Sequence, residues 1–160
     1  MSLKEGDPAP DFTLPDQDGR KHTLSGLKGQ WVLVYFYPRD DTPGCTKEAC
    51  AIRDNFPAFM ALEAEVFGIS DDSVSDHRKF ADKYELPFTL LADENREVVK
   101  AYEVWGEKKL FGKVYDGIKR ISYLIDPHGN IAKIYPQVDP PNHAEEVLDD
   151  IRRFTAAAEG

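Results

Sequence analysis

An unbroken run of seven large residues, Trp31-Val32-Leu33-Val34-Tyr35-Phe36-Tyr37, constrains this chain more than any other feature. So short and apolar a run reads as a buried strand, and the Pro38-Arg39-Asp40-Asp41-Thr42-Pro43-Gly44 cluster reads as the loop that leaves it. Both cysteines, Cys45 and Cys50, follow at once. Thr42 is placed to serve as N-cap, its oxygen accepting a backbone N–H, with Pro43 at the first helical position and Cys45 inside the first turn. A thiol there faces unpaired backbone N–H groups and the positive end of the helix dipole, and both favour thiolate over thiol. This is the sequence recipe for a reactive cysteine, although free cysteine is also among the most buried residue types and spacing alone leaves a core thiol open.

Five helical steps from Cys45 to Cys50 give a rise of about 7.5 Å and a rotation of roughly 140°. The two Cα atoms then lie about 8.5 Å apart, beyond the ~7 Å limit for a disulfide. An intact helix keeps the thiols apart. If they join within one chain, the first turns must unwind, so oxidation becomes a conformational switch.

The rest of the chain alternates short apolar segments with helical periodicity. Asp16-Gln17-Asp18-Gly19 between Phe12-Thr13-Leu14 and His22-Thr23-Leu24 predicts a hairpin over 11–24. Cys45, Ala49, Ile52, Phe56 and Phe59 share one helical face, so Cys45 ends an apolar stripe while Cys50 lies off it. Pro57 should kink or break that helix near Asn55-Phe56. Next come a strand at 65–70, a helix near 75–85 led by Ser73 or Ser75, a strand at 88–91 and a helix near 94–102. Strands at 119–126 and 130–135 flank the turn signal Pro127-His128-Gly129-Asn130, and a helix over 142–158 closes the chain. Periodicity supports an α/β fold with a mixed sheet.

At 160 residues one domain over 1–160 is expected, burying about 70% of its unfolded surface. A net charge of −9 argues against nucleic acid or an anionic membrane as partner, since either demands a basic face. No run of about 18 apolar residues occurs, and Met1-Ser2-Leu3-Lys4-Glu5 opens no signal peptide, so a soluble, cytoplasmic protein is expected. Two cysteines this close suit a reducing compartment, where a thiol pair is more often redox-active than structural. The histidines at 22, 77, 128 and 143 show no shared ligand spacing and are assigned to surface or turn positions, with no metal expected.

The loop and its cysteines also carry a family resemblance. The chain resembles a peroxiredoxin of the bacterioferritin-comigratory (Q-type) subgroup, whose Pro-x-x-x-Thr-x-x-Cys motif is matched by Pro38, Thr42 and Cys45, with Cys50 at the resolving position. The likeness extends through Gly6 to Phe12, Gly68-Ile69-Ser70, Trp105-Gly106, Gly117-Ile118-Lys119-Arg120 and Leu124-Ile125-Asp126. It implies a thioredoxin-like fold, a mixed central sheet flanked by helices, with residues 1–25 as an N-terminal hairpin extension. It implies a thiol peroxidase in which Cys45 attacks peroxide, Cys50 resolves the sulfenic acid as an intramolecular disulfide, and thioredoxin or a similar dithiol resets the pair. No cofactor is required, and a monomer or weak homodimer is expected. Thr42 would orient the peroxide, the Pro38 ring would shield the thiolate, and Arg120 would reach the Cys45 sulfur rather than stand as a solvated cation opening the 119–126 strand. Glu48 and Trp105 match family positions, but a first-turn carboxylate beside the dipole and core or lid packing explain them equally well. Two other classes stay in view. A thiol-disulfide oxidoreductase would want C-x-x-C rather than the C-x-x-x-x-C found here, and a redox sensor or holdase would oxidise once and wait.

Overall fold

The Asp16–Gly19 signal turns as expected between β1 (Thr13–Pro15) and β2 (Lys21–Thr23), where the Asp16 carboxylate accepts from the amides of Asp18 and Arg20. The computed structural model describes residues 3–159, with Leu110 and Glu159 described by their backbone alone; Met1, Ser2 and Gly160 lie outside the described residues. The apolar run becomes β3 (Trp31–Phe36), followed by α1 (Pro43–Asp54) and α2 (Phe56–Ala61). Asn55 breaks the helix between them, one residue before the first turn that Pro57 can enter without losing a hydrogen bond. After β4 (Ala64–Ser70) comes α3 (Val74–Tyr84), capped by the Ser73 hydroxyl, which accepts the Asp76 amide. Then follow β5 (Thr89–Ala92), α4 (Glu97–Ala101), β6 (Trp105–Leu110), β7 (Lys113–Ile118), β8 (Ser122–Ile125), β9 (Ile131–Tyr135) and α5 (His143–Glu159).

Five strands form one sheet in the order β5-β4-β3-β8-β9, with β3, β4 and β5 parallel and β8 and β9 antiparallel to their neighbours. Its middle strand is buried on both faces because the period of two splits the run between two cores. Leu33, Tyr35 and Tyr37 pack with Ala49 and Ile52 of α1, Phe59 of α2, Phe80 of α3 and Val147 of α5. Val32, Val34 and Phe36 pack with Phe12 and Leu14 of the first hairpin and Val98 and Val99 of α4. The arrangement is a mixed sheet flanked by helices, carrying the N-terminal hairpin as an extension.

The strand expected over 119–126 starts only at Ser122. Arg120 therefore does not open a strand. Lys119 donates its amide to the Val104 carbonyl at 2.8 Å, so the chain stays with the β6–β7 hairpin until it turns into the sheet. That hairpin is an addition to the sequence reading. Its strands carry Glu107, Lys108, Lys109, Lys113 and Asp116, and Phe111 and Gly112 both take positive φ (51° and 77°) at its tip, the two-residue turn that hairpin twist favours. Two of the histidines are also not at the surface. His77 and His143 are buried, His143 with Nε2 2.9 Å from the Ser122 hydroxyl oxygen, and burial lowers its pKa.

Candidate functional site

The site is built where β3 runs out. Tyr37 still donates its amide to Ile69 at 3.2 Å, Pro38 ends the strand, and residues 38–42 carry the chain over the sheet edge to Pro43 at the start of α1. The helical ladder begins with the Thr46 amide on the Thr42 carbonyl at 2.8 Å, so the Gly44 and Cys45 amides lie ahead of it. Cys45 is 2% exposed, as the terminus of the apolar stripe requires. Thr42 sits at the N-cap position, but its hydroxyl donates to the Arg39 carbonyl at 2.9 Å and does not cap the helix. The expectation of a capping oxygen is thus corrected: the hydroxyl proton closes the loop on itself, and the oxygen keeps its accepting lone pairs.

Arg120 reaches this thiol from the connection between β7 and β8. Its Nη2 donates to Cys45 Sγ at 3.3 Å and its Nη1 to Glu48 Oε1 at 2.8 Å, one planar fork bridging a sulfur and a carboxylate. A Cβ on Gly44 would meet Arg120 Nη2 at 3.0 Å, so the bare backbone before Cys45 leaves the guanidinium its approach. Burial works against the Arg120 charge, but Cys45 and Glu48 outweigh it and hold its pKa above the ordinary value. The cation is permanent.

Glu48 is 1% exposed, which corrects its reading as a carboxylate serving the helix dipole. It lies in the second turn of α1, at helical spacing from Cys45 and Ile52, and points into the core. Burial pushes its carboxyl up to about 7, with Arg120 opposing, and Oε2 has no hydrogen-bond partner. Beneath lies Tyr35, whose hydroxyl is also unpartnered and whose pKa is raised well above the usual phenol value by burial, then by the charges of Glu48 and Cys45. A Cβ at Gly68 would stand 2.7 Å from that hydroxyl, so the strand next to β3 must be bare there.

Cys50 is half-buried on the same unbroken helix, and both thiols are free. A groove of about 640 Å³ runs past the loop, with Pro38 and Thr42 on one wall and Trp105, Lys108 and Tyr115 of the β6–β7 hairpin on the other. Trp105 is held there by the Arg96 guanidinium, 4.3 Å from its ring centroid. The structure thus brings Pro38, Thr42, Cys45, Glu48 and Arg120 together and leaves Cys50 across the helix from them.

The sequence model of the AhpC/TSA family matches residues 5–134. The chain belongs to the AhpC/TSA family. It is 49% identical over 147 residues to peroxiredoxin Bcp of Escherichia coli, covering 92% of this chain and 94% of that protein. With peroxiredoxin Bcp of Bacillus subtilis it shares 42% over 152 residues, 95% and 97% of the two chains. Among solved structures, a cysteine-to-serine mutant of PrxQ from Xylella fastidiosa superposes with a TM-score of 0.91 at 33% identity, over 97% of this chain and 99% of that one. The bacterioferritin comigratory protein of Xanthomonas campestris, described for its alkyl peroxide reduction activity, gives 0.84 at 33% identity over 89% and 91%. The chain is therefore a peroxiredoxin of the Bcp/PrxQ kind, with the thioredoxin-like fold of that family.

Sequence reasoning misses two features of the site. Tyr35 carries no signal beyond its place in the apolar run. The burial of Glu48 has a usable sign, since a carboxylate at i+3 from Cys45 and i−4 from Ile52 falls on the buried stripe.

Proposed function

We propose that Cys45 is the peroxidatic thiol of a thiol peroxidase acting on hydrogen peroxide and organic hydroperoxides, and that Cys50 resolves it. The observation that carries this reading is the permanent Arg120 cation 3.3 Å from a buried sulfur in the first turn of α1. The thiolate sulfur attacks one peroxide oxygen, the O–O bond breaks, and the departing oxygen takes up a proton to leave as water or an alcohol. The guanidinium is placed to stabilise negative charge as it moves from sulfur towards the leaving oxygen. Thr42, with lone pairs free of any cap, accepts from the peroxide O–H and orients it, while Pro38 limits water at the thiolate. The resulting sulfenic acid condenses with the Cys50 thiol, forming S–S and releasing water. An external dithiol, thioredoxin or a protein like it, then reduces the disulfide and is itself oxidised.

Every group that acts on the peroxide and closes the disulfide comes from one chain, so a monomer or weak homodimer suffices, and no cofactor or metal is invoked. A reducing, cytoplasmic setting fits two thiols that must start reduced, and the charge of −9 fits neither nucleic acid nor an anionic membrane surface as partner. Among the described residues, no helix is long and apolar enough to cross a membrane.

The test is turnover of peroxide coupled to thioredoxin, its reductase and NADPH. Cys45→Ser should abolish turnover with the fold kept, because a hydroxyl does not ionise near neutral pH. Cys50→Ser should consume one peroxide per chain and stall as sulfenic acid, or depend on an added thiol. Sulfenic-acid trapping at Cys50 in the Cys45→Ser chain, with none at Cys45 in the Cys50→Ser chain, would reverse the two roles.

A further inference from the structure

Peroxide reduction as proposed above makes no use of His77, yet this fully buried side chain on α3 holds the segment that leads into Cys45. Its Nε2 lies 2.9 Å from the Leu91 carbonyl of β5 and its Nδ1 lies 2.6 Å from Asp40 Oδ2. A carbonyl oxygen and a carboxylate oxygen only accept, whereas a neutral imidazole has a single N–H. The ring meets both contacts when each nitrogen carries a proton. Asp40 is suited to be the anion of the pair, since its Oδ1 accepts the Tyr37 hydroxyl at 2.5 Å. Burial, then the charge of Asp40, pushes the Tyr37 pKa well above its usual value, so the phenol keeps the proton it donates.

The charged surroundings are few. Asp72, in the turn after β4, accepts the Asp40 amide at 2.9 Å and the Ser70 hydroxyl at 2.6 Å, and burial raises its pKa. From β3 comes the Tyr37 phenol and from β5 only the Leu91 carbonyl. Arg39, Asp41, Asp76, Lys79 and Lys83 line an open cleft beside Asp40, where water screens them. Asp40, Asp72 and His77 have ligand-type atoms within 4.8 Å of one another, but both ring nitrogens of His77 are already engaged, so the cluster places protons rather than a cation.

We propose that His77 is a positioning residue for peroxide reduction: as a buried imidazolium it grips Asp40 and so fixes residues 38–42, the wall beside Cys45. This rests on the reading of Cys45 as the peroxidatic thiol. The segment's other anchors are Asp72, which accepts the Asp40 amide, and Asp41, bound to Lys83 and Tyr84 in exposed contacts that hold little. Asp40 stands two residues from Pro38 and two from Thr42, so losing its grip displaces both. A ring protonated at Nε2 alone would set two acceptors against each other at 2.6 Å, and the grip would fail. Asp40→Asn makes a neutral version of it: the new amide nitrogen donates to Nδ1 and the amide oxygen still accepts from Tyr37.

The decisive measurement is ¹⁵N NMR of the reduced full chain, labelled at histidine, near pH 7. Two protonated ring nitrogens are expected for His77 in the wild type and one in Asp40→Asn. A singly protonated His77 in the wild type overturns the proposal whatever the activity. In stopped-flow oxidation of Cys45 by hydrogen peroxide, His77→Leu should slow the reaction about tenfold or more, the scale of loss expected when a reacting group is slightly misplaced. Asp40→Asn should react faster than His77→Leu. If His77→Leu does not fold, Asp40→Asn decides through the proton count, and a His77 ring that stays doubly protonated in that variant overturns the proposal. If peroxide fails to oxidise Cys45 in the wild type, the reading of the thiol falls, while the proton count on His77 still reports on the grip.

Discussion

Replacing Glu48 with glutamine should make the protein more stable above neutral pH and leave that advantage absent in mild acid. The carboxyl is 1% exposed, and burial, opposed by Arg120, carries it from an ordinary 4.5 to about 7. For a group whose folded value is raised, the folded state binds more protons than the unfolded state between the two values, so stability falls as pH rises through that window. The contribution of Glu48 is fully present below about 4.5 and is lost as pH passes about 7. At 1.36 kcal/mol per pH unit the gap amounts to about 3 kcal/mol at most. The amide side chain of Glu48→Gln keeps an oxygen for Arg120 Nη1 and cannot ionise, so subtracting the variant's stability from that of the wild type cancels the other titrating groups. Denaturant unfolding of both proteins at pH 5 and pH 8.5 measures the difference. The variant should gain up to about 3 kcal/mol on the wild type between those pH values. A constant difference, or a wild type that gains on the variant as pH rises, would mean that Arg120 stabilises the buried carboxylate by as much as burial costs or more, and the account of Glu48 would be wrong.

Arg120→Met should slow Cys45 oxidation by about tenfold to a hundredfold, the range of one lost charged hydrogen bond, and Arg120→Lys should recover only part because a point charge cannot bridge sulfur and carboxylate. Rate–pH profiles that overlay the wild type, with the fold verified, would make Arg120 a bystander. In the disulfide form, amide exchange over residues 44–51 should rise relative to the dithiol form, since both cysteines lie on one unbroken helix too long for the bond; unchanged protection with the disulfide confirmed by mass would refute the unwinding. Gly68→Ala should cost about 1–3 kcal/mol, because the new methyl meets a fully buried Tyr35 ring that has no room to retreat. An unshifted denaturant midpoint would count against that packing.

The sheet and helices are legible in the sequence because their information is local and periodic. Val32 to Tyr37 alternate between two cores, and Cys45, Ala49, Ile52 and Phe59 return at helical spacing to one of them. The β6–β7 hairpin is not, because charged residues such as Glu107, Lys108, Lys109, Lys113 and Asp116 break its apolar alternation and it stands off the main sheet, leaving only Phe111-Gly112 as a turn signal. The nucleophile is legible for the same reason as the helices: a strand, a Pro/Asp/Gly loop and a helix start fall within about twenty consecutive residues. Its partners are not. Arg120 lies 75 residues from Cys45 and 72 from Glu48, and His77 lies 37 from Asp40, separations over which one sequence carries no register. Thr42 shows the limit at short range too, because cap position fixes its backbone while the Arg39 carbonyl captures its hydroxyl. Local pattern thus places a thiol at a helix start, and the folded sheet decides which charges meet it. A substitution at Arg120 or His77 should therefore change the chemistry of Cys45 while leaving every local signal around it intact.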